Sequence, residues 1–277
     1  MDKVLSIVIA NYNYGRYVGT AIESVLSQYD PRIELIVVDG GSSDDSLAVI
    51  KHFSDKIAWW VSEKDNGQSD AFNKGFAHAR GRFFTWLNAD DVLLPGAIRK
   101  ILHAIDSNPG VKWFAGNTIY FKGEYAFAYA TTPLGNFWPR ILQVPPWLRA
   151  NGPSTFFARS LFDAVGGTIA NLKYVMDIDL WMRFSEQGVG LKYVQGYIWG
   201  FRLHEESKTS SSLTEGKWNK KFAEERNVLR ALHNISPKGE LIAMWCKRLS
   251  GLLCGGYIRL LIIKMMFRDR SILQISE

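Results

Sequence analysis

From Leu5 to Ser107 the chain alternates between two kinds of hydrophobic pattern. Short continuous runs, Leu5–Ala10, Ile33–Val38, Ile57–Val61 and Arg82–Leu87, are rich in β-branched and aromatic residues and stop at polar clusters. Such runs read as strands buried on both faces. Between them, apolar residues recur at helical spacing. Ala21, Ile22, Val25 and Leu26 mark a helix over Tyr17–Gln28, and Leu47, Ile50 and Phe53 mark one that Asp44 can cap. Ala71, Phe72, Phe76 and Ala79 mark one over Gln68–Arg80, and Ile98, Ile101, Leu102 and Ile105 mark one over Ala97–Ser107. Strand and helix in strict alternation predict an α/β fold with a doubly wound, mostly parallel sheet flanked by helices.

After a strand over Val111–Tyr120 the pattern loosens. Phe121–Asn151 is aromatic and proline-bearing, with Trp138-Pro139 and Pro145-Pro146-Trp147, and Gly152-Pro153 follows. It reads as a covering loop or as an aromatic wall on which a sugar or a lipid carrier would stack. Ser154–Phe157 reads as a strand, Ser160–Val165 as a short helix and Leu191–Arg202 as a strand. A helix starts at Met176 with Asp177 and Asp179 in its first turn, where the helix dipole favours anions. Trp218–Leu232 reads as a helix with Phe222, Leu229 and Leu232 along one side. Gly251–Phe267, apolar but interrupted by Arg259 and Lys264, reads as an amphipathic helix lying on anionic lipid or docked on the domain or a second subunit.

The polar punctuation is where chemistry is expected. Asn11–Asn13, Asp39–Asp44, Glu63–Asp70 and Asn88–Asp91 follow the four successive strands. In open α/β sheets ligands bind past the carboxyl ends of the strands, so four clusters on one edge predict a pocket. Phe83–Pro95 is the focal stretch. Asp90 and Asp91 sit side by side at the end of a buried strand, an arrangement that like-charge repulsion and desolvation both oppose and that a divalent cation would relieve. The bland alternative is a solvated turn.

Charge refines the picture. The net charge of +6 resides in the last stretch: Glu215–Glu277 holds twelve Lys/Arg and six Asp/Glu, leaving twenty-one of each sign in Met1–Thr214. A neutral body argues against a nucleic-acid partner, and a basic tail suits an acidic membrane surface or a partner protein. The body, residues 1–212, is expected to be one catalytic domain and residues 213–277 a helical basic appendage that touches membrane or forms oligomers. Two cysteines, Cys246 and Cys254, form no CxxC pair, which argues against zinc and disulfides and fits a reducing cytoplasm. Leu5–Ala10 is too short for a signal peptide, and no run of about 18 apolar residues predicts a transmembrane helix. No GxGxxG opens the first helix and no GxxxxGK[ST] occurs, which disfavours dinucleotide reduction and P-loop chemistry.

Taken in order, four motifs resemble the family-2 inverting glycosyltransferases of the GT-A fold, over roughly Ser6–Ser212. They are Ser6–Asn13 (SIVIANYN), Glu34–Asp44 (ELIVVDGGSSD), Asp65–Gly75 (DNGQSDAFNKG) and Asn88–Asp91 (NADD), the last at the DxD position. The resemblance implies a metal-dependent, hexosyltransferase-type enzyme that moves a sugar from a UDP-, GDP- or dTDP-sugar to a saccharide or lipid-linked acceptor. It suggests a role in cell-envelope or exopolysaccharide synthesis; the expected location is the cytoplasm, with peripheral contact at the inner face of the cell membrane as the alternative that the basic tail offers. It places the donor on Ala10, Asn11, Tyr12, Asn13, Asp39, Gly67, Gln68, Asp70, Asn73, Lys74, Asn88 and Ala89, with Asp39 on the nucleobase. It places Mg²⁺ or Mn²⁺ on Asp90 and His204, and the catalytic base on Asp177 or Asp179, with Asp177 favoured. Asn88 departs from the first Asp of DxD, and Met176 stands where the family commonly has Glu. No QxxRW is present, against a processive synthase. On its own residues His204 reads only as a polar surface residue after a strand. The competing readings are a metal-dependent phosphohydrolase, a non-catalytic nucleotide-sugar-binding subunit and a membrane-associated scaffold.

Overall fold

The computed structural model describes residues 2–123, 125–130, 152–205, 207 and 217–236. Strands β1 (Leu5–Asn11), β2 (Ile33–Asp39), β3 (Trp59–Ser62) and β4 (Phe83–Asn88) alternate with helices α1 (Gly15–Leu26), α2 (Ser46–His52) and α3 (Gln68–His78). A two-residue strand, β5 (Val92–Leu93), precedes α4 (Ala97–Asp106). Strands β6 (Trp113–Lys122) and β7 (Tyr125–Ala130) follow, then a 3₁₀ turn at Gly152–Ser154, β8 (Thr155–Ala158), α5 (Arg159–Ala164), α6 (Met176–Glu186), β9 (Lys192–Arg202) and α7 (Lys217–Leu232).

The strands form one sheet in the order β3-β2-β1-β4-β8-β6-β9-β5, with β7 paired to β6 off this path. Neighbours from β3 to β4 are parallel, β8 runs antiparallel between β4 and β6, and β9 is parallel to β6. The flanked, mostly parallel arrangement expected from the alternating pattern is therefore present, and its second half adds antiparallel pairs. Tyr125–Ala130, read from the sequence as part of a loop, is a strand: it closes an antiparallel hairpin with β6 in which Lys122 faces Tyr125. Its alternation of aromatic residues with alanine has the period of two that a strand requires.

The core explains why these segments take these forms. Of the expected apolar positions, Ala21, Ile22 and Val25 of α1 and Ile98, Ile101, Leu102 and Ile105 of α4 are buried, and Leu26 is partly buried against the core. Helix α3 lies so close to the sheet that a Cβ at Gly75 would sit 2.4 Å from Val8 Cγ1, which excludes any side chain there. Aromatic stacking joins sheet to helices: Trp86 of β4 lies 5.2 Å from Phe72 of α3 and 5.4 Å, nearly parallel, from Trp181 of α6. That stack fixes α6 beside the carboxyl end of β4. On α7 Leu229 is buried, while Leu232, expected along the same side, is 53 % exposed. Cys246, Cys254, the amphipathic Gly251–Phe267 segment, most of Phe121–Asn151 and the boundary expected at 212/213 lie outside the described residues. No helix among the described residues is long and apolar enough to cross a membrane.

At the opposite end of β2, away from the polar loops, Glu34 is buried. It accepts from the Ser6 hydroxyl at 2.6 Å, from Arg80 Nε at 2.9 Å and from the Arg80 backbone N–H. Burial pushes this carboxyl up, but the Ser6 and Arg80 hydrogen bonds outweigh it and hold it below the usual carboxylate range. A depressed folded-state pKa gives stability that is present above the unfolded value and is lost as pH falls through the folded one. Chemical denaturation of Glu34→Gln is expected to show a loss of about 1–3 kcal/mol at pH 7. Because only the wild type loses this contribution in acid, the gap should narrow as pH falls below the ordinary glutamate value. A gap independent of pH would contradict the assignment.

Candidate active site

The last residues of three parallel strands stand in register: Asn11 beside Asp39, and Asp39 beside Ser62. Their side chains join. Asn11 Nδ2 donates to Asp39 Oδ1 at 2.7 Å, the Ser62 hydroxyl donates to Oδ2 at 2.6 Å, and Ser42 donates its hydroxyl to Oδ1 and its backbone N–H to Oδ2. Burial raises the Asp39 carboxyl, yet these donors outweigh it and hold it below its ordinary value. Asp39 is wholly buried and acts inside the wall, shaping the loop whose Gly40 and Gly41 face the cavity. Asn13, with φ of 55°, locks the neighbouring loop by accepting from Ser43 N–H and donating its own N–H to the Ser42 hydroxyl.

The strand-end carboxylates of the focal stretch behave differently from each other. Asp91 is buried, accepting from Asn88 Nδ2 at 2.7 Å and from the Arg202 backbone N–H at 2.9 Å. Burial first, and the Asp90 charge next, raise its pKa well above the usual carboxylate value. Asn88 also accepts from Gln68 Nε2 at 2.7 Å, so it relays between α3 and Asp91. An aspartate at position 88 would set a second carboxylate, after Asp90, against Asp91 and remove that donor. Asp90 faces the cavity. The antiparallel pairing of β5 with β9 brings the end of β9 to it: Arg202 Nε donates to the Asp90 carbonyl at 2.8 Å, and His204 Nε2 lies 3.1 Å from Asp90 Oδ2. The His204 side chain is only 10 % exposed and packs edge-on to Tyr14 and against Tyr17, so it is no surface histidine.

The opposite wall is α6. Asp177, in its first turn, lines the cavity, and its Oδ1 accepts from the Ile178 N–H at 2.8 Å. Asp179 does not line it. Its carboxylate is buried, with Oδ2 taking Arg183 Nε and Nη2 and Oδ1 lying 3.1 Å from His233 Nε2. Residues 177 and 179 lie about 200° apart around a helix of 3.6 residues per turn, so when Asp177 faces the cavity Asp179 faces away from it.

Between these walls lies a cavity of about 1220 Å³, lined by Ala10, Asn11, Tyr12 and Asn13, by Gly67 and Gln68, by Asn88, Ala89 and Asp90, and by Asp177. Three further expected donor residues sit behind it. Asp70 accepts from the Asn66 backbone and side chain, Asn73 ties α3 to Thr168, and Lys74 pairs with Glu63 at 2.6 Å. Asp70 thereby supports the loop that carries Gly67, whose φ of 114° only glycine takes readily, while Asn73 and Lys74 tie α3 to neighbouring segments.

The sequence model of "Glycosyl transferase family 2" matches residues 6–164. The chain belongs to glycosyl transferase family 2. An uncharacterized glycosyltransferase of Rickettsia prowazekii is 28 % identical over 221 residues, which are 77 % of this chain and 68 % of that one. One of Nostoc is 41 % identical over 108 residues, 38 % of this chain and 33 % of its own. Among solved structures, Staphylococcus aureus TarS 1–349 in complex with UDP-GlcNAc superposes with a TM-score of 0.62 at 17 % identity, over 75 % of this chain and 61 % of that one. The mannosyltransferase PcManGT from Pyrobaculum calidifontis, in complex with GDP-Man and Mn²⁺, gives 0.56 at 16 % identity, over 75 % and 59 %. This chain thus spans about three fifths of the length of those solved structures, which share its GT-A fold. Asp177 and His204 lie beyond the matched residues 6–164.

In this family 2 glycosyltransferase the donor set at Asp90 suits a hard divalent cation. Among the described residues no group of three His, Cys, Asp or Glu side chains converges, so a closed protein cage is absent there. One carboxylate and one imidazole stand 3.1 Å apart. That is about the separation of adjacent ligands on an octahedral ion with bonds near 2.1 Å, and Mg²⁺-type sites commonly complete their shell with water and substrate phosphates. Lys64, Lys173, Trp199 and Phe201 also line the cavity, without a motif that singles them out. Lone lysines and strand aromatics carry no spacing signal, and the fold brings them in from three places: Lys64 from the loop after β3, Lys173 from the turn before α6, and Trp199 and Phe201 from β9.

Proposed function

We propose that the protein is a metal-dependent inverting glycosyltransferase that moves a sugar from a nucleoside-diphosphate sugar to an acceptor hydroxyl. One observation carries this: Asp90 and Asp177, from separate segments, line the same cavity at the carboxyl ends of the parallel strands. The donor's nucleoside lies along Ala10–Asn13 and the Gly40–Gly41 loop, and its diphosphate lies toward Asp90. The solved relatives that contain UDP-GlcNAc and GDP-Man with Mn²⁺ support a donor of this class.

Asp90 and His204 would hold Mg²⁺ or Mn²⁺, which when bound neutralises charge building on the departing diphosphate. Lys64 and Lys173 add positive charge to the lining. Asp177 accepts the proton of the acceptor hydroxyl as that oxygen attacks the anomeric carbon from the face opposite the diphosphate. The C–O bond to the acceptor forms as the C–O bond to the diphosphate breaks, so configuration inverts in one displacement.

A thermal-shift screen tests the reading directly, since a ligand that binds only the folded state raises its apparent stability by mass action. UDP-, GDP- and dTDP-sugars are compared with and without Mn²⁺. At least one donor is expected to raise Tm by several degrees with Mn²⁺ and by less with EDTA. Flat melting curves across the panel would overturn the proposal.

A further inference from the structure

We propose that Glu225 of α7 is a positioning residue for the transfer reaction, holding the turn that presents Asp177. Its carboxylate gathers three successive backbone N–H groups just before α6: Lys173 at 3.1 Å from both oxygens, Tyr174 at 2.7 Å and Val175 at 3.2 Å from Oε2. Successive N–H groups converging on one anion form a nest, a strong and directional site. Val175, the N-cap of α6, supplies no side-chain cap of its own, so the anion comes from another helix.

The spacing of α7 explains the arrangement. Glu225, Leu229 and His233 fall four residues apart and share one face. Leu229 is buried, and His233 reaches Glu186 at 2.6 Å and Asp179 at 3.1 Å, both on α6. Helix α7 therefore grips α6 at both ends. On its other side the same turn is tied to α3, where the Ser69 hydroxyl donates to the Leu172 carbonyl at 2.7 Å and contacts Met176 Sδ at 2.9 Å. The residue after Met176 is Asp177. A base must sit within hydrogen-bond reach of the proton it takes, and a small displacement can lower a rate by orders of magnitude. Glu225 supplies the brace that keeps that approach constant.

The proposal rests on Asp177 as the base, and the experiment separates the two. Full-length wild type, Glu225→Gln, Leu229→Ala and Asp177→Asn are compared by hydrogen–deuterium exchange across residues 168–180. The second readout is hydrolysis of UDP-N-acetylglucosamine or GDP-mannose, whichever gives the larger Mn²⁺-dependent thermal shift. Glu225→Gln is expected to speed exchange at residues 173–175 and to lower kcat about tenfold with KM within twofold, with Glu225→Asp restoring part of the loss. Leu229→Ala should lower Tm while kcat at a temperature where it remains folded changes less. Unchanged exchange in Glu225→Gln, or a kcat no lower than that of Leu229→Ala, overturns the positioning role. Wild-type turnover in Asp177→Asn overturns instead the reading of the base.

Discussion

Asparagine at position 177 is expected to lower sugar transfer about 10²–10⁴-fold while leaving the donor dissociation constant within about twofold. The substitution keeps the side-chain volume and leaves an oxygen able to accept from the Ile178 N–H, so the turn at the head of α6 persists. What it removes is the capacity to take a proton. Release of nucleoside diphosphate measures the first quantity and calorimetric titration of the donor the second. Asp179→Asn provides the contrast, because it weakens a buried pair with Arg183 that is closed on all sides. Breaking such a pair costs about 3–5 kcal/mol, so this variant should melt earlier yet turn over normally while folded. Normal stability with lost turnover in Asp179→Asn, and the reverse in Asp177→Asn, would exchange their roles.

The second large effect belongs to Asp90. Its replacement by alanine should abolish the Mn²⁺-dependent part of the donor's thermal shift and lower transfer at least about 100-fold, as expected when several kcal/mol of charge stabilisation at the leaving group is withdrawn. The unliganded protein should not suffer equally. Asp90 repels the buried Asp91 carboxyl and helps raise its pKa, so removing the Asp90 charge relieves a strain that offsets the lost contact with His204. Melting with EDTA and with Mn²⁺ plus donor separates the two contributions. A variant that melts much earlier in EDTA, or still responds to Mn²⁺ with donor, would show that Asp90 is structural.

These two residues also mark where sequence reading stops. Asp90 was legible because a double acid at the end of a buried run is electrostatically anomalous by itself. Asp177 was not separable from Asp179 along the chain, since both suit the first turn of a helix. The Trp86–Trp181 stack, which packs α6 against β4, leaves Asp177 on the cavity and Asp179 behind it. His204 looked like an ordinary polar residue until β9 paired with β5 and carried it to Asp90.

The sequence alone determined the alternation of strand and helix, because burial on both faces and on one face leave different periods in the residues. It also determined that polar clusters gather at the carboxyl ends of the first four strands, since parallel strands joined by helices all point the same way. The tertiary structure decided which polar residues enter the cavity and which stand behind it. Asp39, Asn73 and Asp179 are as polar as Asn11, Asn88 and Asp177, but partners both near in the chain, Ser42 and Arg183, and distant from it, Asn11, Ser62, Thr168 and His233, close them off by hydrogen bonds that the fold assembles. The reach of α7 to α6 through Glu225 is of the same kind, since a glutamate on a charged helix becomes a brace only when the backbone it binds is folded beneath it.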